Sequence, residues 1–142
     1  MQKTLILILM IIMFIACDTA PTREYETAKW VYVHDQGLVE SFVKDKTVNN
    51  INDVRSLISR FVVRTDENCL DVALLGVWGL GELNIPARVV IIGNSKTRET
   101  HAICISNDNK YLVSALGVQK LTWNDWRREV LRIYYEYGEV LE

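Results

Sequence analysis

Asp66–Val90 reads DENCLDVALLGVWGLGELNIPARVV, a polar cluster followed by an apolar run that changes period at a proline. Leu70, Ala73, Leu74 and Val77 recur at helical spacing. They predict a helix that begins at about Asn68 or Cys69, with Asp66 or Asn68 as its cap. Gly76, Gly79 and Gly81 are costly inside a helix and point to another backbone approaching closely. Pro86 closes the helix. Beyond it ARVVIIG, residues 87–93, is a β-branched run suited to a strand.

Working outward, THAICIS (100–106) alternates, and KYLVSAL (110–116) follows the polar turn Asn107-Asp108-Asn109. Both read as strands, paired as a hairpin. A closing helix is predicted from about Thr122, where Thr122 and Asp125 form a pair like a capping box. Trp123, Trp126, Val130, Ile133, Tyr134 and Tyr137 supply its apolar side as packing groups. Upstream, Ile51, Val54, Leu57, Ile58, Phe61 and Val62 predict a helix capped by Asn52 or Asp53. A first helix is read over residues 22–34, and residues 38–50 carry no decisive period. Helices followed by a small antiparallel sheet and a C-terminal helix make the class α+β.

The chain opens MQKTLILILMIIMFIAC. Its apolar run from Leu5 to Ala16 falls short of the roughly 20 residues a bilayer requires and reads as a signal-peptide core, residues 1–16. The run ends at Cys17 in a pattern that resembles a bacterial lipobox, so cleavage before Cys17 and its acylation, by fatty acids such as palmitate, are expected. Residues 17–24 then form a polar tether, and 25–142 a single domain. Asp18 after the lipidated cysteine suggests retention at the inner membrane, facing the periplasm.

The 142 residues carry a formal net charge of −2, with 24% charged residues and 49% hydrophobic ones. Lysines and arginines are scattered, which argues against nucleic acid as a partner. The two histidines, His34 and His101, lie among no cluster of metal-ligating residues, so neither a metal nor a cofactor is expected.

With Cys17 committed to lipid, Cys69 and Cys104 remain. In an oxidising compartment they can form a disulfide. Cys69 can also be a nucleophile, because a helix N-terminus favours a thiolate through its free N–H groups. The base would be His101, at the start of an alternating strand that packs beside the cysteine helix. Cys104 follows His101 by three residues and so points to the other face of its strand. If His101 faces Cys69, Cys104 turns away, which argues against a bridge. Asp71 suits the first helical turn, and Arg88 suits an ion pair with an acid near the sheet.

Asn68-Cys69-Leu70-Asp71-Val72-Ala73, then Leu83 to Val90, then His101-Ala102 resemble the transglutaminase-like superfamily, closest to its exported bacterial cysteine peptidases. The resemblance covers residues 66–116. It implies a papain/transglutaminase-like core, Cys69 as nucleophile and His101 as general acid/base. The family's third residue, an Asp on the strand after the histidine, has no counterpart in Tyr111-Leu112-Val113-Ser114. A two-residue turn at Asn107-Asp108 places Ser114 opposite His101. A four-residue loop keeps Ser114 on the same face, and a three-residue loop turns it away. Ser114 would then accept the imidazole N–H and fix its tautomer without supplying charge. Asp108 at the hairpin tip lies about 20 Å from His101 at some 3.3 Å per residue.

The expected function is an exported, lipid-anchored cysteine hydrolase, a peptidase or amidase acting through a thioester on a protein or cell-wall peptide in the envelope. The alternative is a catalytically silent lipoprotein that binds a protein partner.

Overall fold

The computed structural model describes residues 38–64 and 68–141. The signal peptide, Cys17, the tether, the helix read over 22–34, His34 and the capping option at Asp66 lie outside these residues. A helical segment at 38–43 leads to helix α1, Ile51–Arg64, and helix α2, Cys69–Glu82. Strands β1 (Ala87–Gly93), β2 (Thr100–Ser106), β3 (Tyr111–Ser114) and β4 (Gly117–Lys120) follow. Helix α3 (Trp126–Ile133) and the short strand β5 (Glu139–Val140) close the chain. The mixed α+β class expected from the sequence is observed.

The ends of α1 and α2 are set by local chemistry. Asn50, two residues before the first of the predicted caps, accepts the N–H groups of Asn52 and Asp53 at 2.9 and 3.2 Å. The Asp53 carboxylate reaches back to the N–H groups of Asn49 and Asn50 at 2.8 and 3.2 Å, a reciprocal cap. Asn68 caps α2 by accepting the Leu70 N–H at 3.0 Å. The helix stops before Pro86. Asn84 takes a left-handed φ of 58°, while the N–H groups of Asn84 and Ile85 bond the carbonyls of Gly81 and Leu80. This is a Schellman exit, and it frees the chain to enter β1.

The sheet is five-stranded, in the order β4-β3-β2-β1-β5, with antiparallel neighbours. Strands β4 and β5 were not expected. The first arises because the predicted third strand breaks at Ser114: Ala115-Leu116 turn, and Gly117, at φ 103°, starts the return strand. One sheet face carries Ala102, Cys104, Val113 and Val118 against α1 and α2. The other carries Val90, Ile92, Ile103, Ile105 and Leu112 against Val130 and Tyr134.

Helix α2 lies between α1 and the sheet, so it is buried nearly all round. Val72, Leu75 and Leu80 are fully buried, whereas Leu74 and Val77 of the predicted stripe are half-buried. Close approach explains two of its three glycines, although side chains rather than backbone make it. A Cβ at Gly76 would meet Val113 and Cys104, and one at Gly79 would meet Val54, but one at Gly81 would meet nothing.

Helix α3 starts four residues later than predicted, capped by Asp125, which accepts the Arg128 N–H at 3.2 Å. Thr122 and Trp123 instead give their N–H groups to the buried carboxylate of Glu129, at 2.9 and 2.8 Å. Arg88 donates to the Ser106 carbonyl and to Asn109 Oδ1, both at 3.1 Å, and lies over the Trp126 ring.

Candidate functional site

Strand β2 runs past the end of β3. Their register pairs Cys104 with Val113 and Ile105 with Leu112, and β3 ends at Ser114, so Ala102 falls beside the β3–β4 turn. Ile91 pairs with Ala102 and turns its carbonyl outward to the Leu141 N–H. The Ala102 N–H therefore points away from β1, towards the gap that β3 leaves. Cys69, the first residue of α2, fills that gap: its Sγ accepts the Ala102 N–H at 3.5 Å.

This contact brings the half-buried thiol beside Ala102, the residue that follows His101 and lies 33 positions along the chain. The two side chains nevertheless approach from different sides. Cys69 packs with the α1–α2 face of the sheet. His101 shares the parity of Ile103 and Ile105 and points to the other face, where its ring lies 5.2 Å from that of Tyr134 and stacks on Tyr137 at 5.4 Å and 16°. The imidazole makes no hydrogen bond to Sγ or to Ser114 among the described residues. Burial holds its pKa below the ordinary histidine value, with a smaller opposing pull from the Glu136 carboxylate. The neutral imidazole is thus the favoured form, suited to act as a base.

Cys104 does not turn away from the cysteine helix. It sits on the α2 side, against Gly76, because Cys69 meets the sheet at its open edge rather than over the face that carries His101. Gly76 is seven residues beyond Cys69, about 10 Å of helical rise. Both thiols are free. Burial pushes the Cys104 thiol up to about 12, against a weaker opposing effect of Arg88.

Ser114 lies on the His101 face, as the four-residue loop alternative requires, but opposite Ile103 rather than opposite His101. The Ser106 side chain sets that loop. Its Oγ accepts the N–H groups of Lys110 and Tyr111 at 3.0 and 2.9 Å and donates to Asp108 at 2.6 Å, while Asn109 adopts φ 59°. Ser114 Oγ accepts the Leu116 N–H at 3.1 Å and the Tyr134 hydroxyl, so it touches His101 only through the tyrosine.

The aromatic pair Tyr134 and Tyr137, read from sequence as packing, therefore belongs to the site. Tyr134 caps the C-terminus of α3 and Tyr137 lies in the turn beyond it, and β5 pins the exit by pairing Val140 with Ile92, the strand partner of His101. Tyr137 is raised above the usual phenol value by burial first, then by the charge of Glu136. Beside this cluster lies a cleft of about 390 Å³, lined by His101 and Ser114 from the sheet, Leu116 from the β3–β4 turn and the run 134–137. Cys69 is not part of its lining. Among the described residues no group of three or more side chains could hold a metal ion, and no helix is long and apolar enough to cross a membrane.

Comparisons of the protein with family models, with curated proteins and with solved structures give no match.

Proposed function

We propose that this protein is an exported, lipid-anchored cysteine hydrolase with a transglutaminase-like core, in which Cys69 attacks a peptide amide and His101 carries the proton. The observation behind this reading is the meeting of Cys69 Sγ with the Ala102 N–H at the open end of β3, which sets a helix-terminal thiol beside the residue that follows a histidine kept neutral by burial. His101 turns from its tyrosine contacts to take the thiol proton, and Sγ bonds to the amide carbonyl carbon. The imidazolium then protonates the departing amine, leaving a thioester on Cys69 that water hydrolyses. Apo enzymes often tighten such contacts only on binding substrate. Ser114 acts as a positioning residue through Tyr134, and the backbone N–H of Cys69 would serve as one donor to the oxyanion.

The test is acyl transfer to the thiol. The full chain, incubated with activated peptide esters, should gain an acyl mass on Cys69 that decays with hydrolysis. Cys69→Ala should gain none, and His101→Gln should acylate about 10²–10⁴-fold more slowly. An adduct that persists in Cys69→Ala would sink the assignment. The lipid anchor is tested separately by Cys17→Ser, which should lose the acyl chains and leave the membrane fraction.

One observation favours a second reading. Cys69 lies outside the lining of the cleft, and the imidazole is engaged by tyrosines rather than by sulfur. A catalytically silent lipoprotein that binds a protein partner through this cleft has the same geometry, and its phenotype would survive Cys69→Ala.

A further inference from the structure

The cleft beside His101 has one charge and several aromatic faces. Its walls come from Tyr134, Tyr135 and Tyr137, its apolar surface from Ile133 and Leu116, and Glu136 is the carboxylate among its lining residues, which include no lysine or arginine. The rim is open to solvent, with Tyr135 83% and Leu116 65% exposed. We infer that this cleft is a subsite for the cationic side chain of a peptide, an ammonium or guanidinium on an apolar stem, held between the tyrosine rings and Glu136.

Three features argue for that occupant. The volume lies at the small end of the roughly 300–1,000 Å³ range of ligand sites, room for one long side chain and its backbone. Two of the wall hydroxyls are already paired, since Tyr134 donates to Ser114 and Ser114 also accepts the Leu116 N–H. Glu136 supplies the one carboxylate of the lining, and a carboxylate beside phenol faces is complementary to a cation. An anion would meet repulsion there, and a purely apolar chain would leave the carboxylate unused.

The wall is also built in advance. Asn94 Nδ2 donates to the Glu136 carbonyl at 2.7 Å, Tyr137 stacks on His101, and the Leu141 N–H bonds Ile91 on the far edge of β1. Burial raises both phenols; the Glu136 charge adds to this, and at Tyr134 the hydrogen bond to Ser114 opposes it. Among the described residues, guanidinium contacts with aromatic rings fall on Trp126 and Trp123 instead.

The inference deepens the hydrolase reading by naming its substrate side chain, yet its test uses no turnover. The full chain carrying Cys69→Ala is titrated calorimetrically with a doubly blocked Ala-Lys-Ala peptide, its arginine analogue and the neutral norleucine analogue. The basic peptides should bind about tenfold more tightly than norleucine. That advantage should shrink with added salt and vanish in Glu136→Gln, and Tyr135→Ala should weaken both basic peptides. Equal affinity for lysine and norleucine, binding of none of the three, or an advantage that survives Glu136→Gln would overturn the assignment. If the basic preference holds while wild-type protein never acylates, the subsite stands and the hydrolase reading falls. If acylation of Cys69 proceeds without the preference, only the subsite falls.

Discussion

The imidazole of His101 lies on the ring of Tyr137, with centroids 5.4 Å apart and planes inclined by 16°. The stack holds the histidine on the face of the sheet that carries Tyr134 and Tyr137, while Cys69 packs with the face covered by α1 and α2. Stacked pairs of this kind are worth about 0.5–1.5 kcal/mol beyond their buried area. That is enough to hold the imidazole in place and little enough for a bound substrate to reorganise.

The two thiols should react differently. Cys69 is half-buried at a helix start, and Cys104 is fully buried with its thiol pushed up to about 12. Iodoacetamide at neutral pH, followed by peptide mapping, should modify Cys69 and spare Cys104 until the protein is unfolded in denaturant. Equal labelling of both in the folded chain would contradict this burial.

Acid should weaken the fold through His101. Burial lowers its pKa in the folded state, so between that value and about 6.5 the unfolded chain binds more protons. The stability owed to the neutral ring is complete above about pH 6.5 and is lost as the pH falls through the folded value. Denaturant midpoints measured from pH 7.5 to 5 should drop more for the wild type than for His101→Gln. Parallel curves would show that the ring contributes nothing.

Two glycines on one helix should respond with opposite signs. In Gly76→Ala the new methyl would stand 2.8 Å from Val113 Cβ and 3.0 Å from Cys104 Cβ, a clash inside the core. The expected loss is about 1–3 kcal/mol. Gly81→Ala meets open space and should gain about 0.4–1 kcal/mol through the unfolded chain. Urea unfolding of the pair checks both, and a stable Gly76→Ala would mean that α2 does not press on β3.

Ser114 and Tyr134 should behave as one unit. Tyr134→Phe removes the hydroxyl that Ser114 accepts but leaves the Leu116 N–H, at a cost of about 0.5–1.5 kcal/mol. Ser114→Ala strands a buried phenol and the Leu116 N–H, at about 1–3 kcal/mol. The double variant should cost less than the sum. Any effect of Ser114→Ala on Cys69 acylation should already be present in Tyr134→Phe, because Ser114 meets His101 only through that ring. Simple additivity in a double-mutant cycle would break this link.

Much of the frame was legible because it depends on neighbours in sequence. The apolar spacing from Ile51 and from Cys69 gave both long helices, Asn68 announced the start of α2, and the change of period after Pro86 gave β1. The end of α2 was foreseen at the proline, although the left-handed Asn84 makes the turn. The closing helix starts four residues beyond Thr122, which resembles a cap, because Glu129, seven residues on, takes the Thr122 N–H.

What the sequence alone determined is therefore local: periods, caps, and a thiol at a helix start with a histidine at a strand start. Only the tertiary structure decided which side of the sheet each would face. A strand's side-chain direction depends on register, and register here rests on a four-residue loop held by the Ser106 hydroxyl and on the early turn after Ser114. Those two choices set Ser114 opposite Ile103, opened the gap that Cys69 fills, and left the opposite face to Tyr134 and Tyr137, which reach His101 only because β5 returns to the far edge of β1.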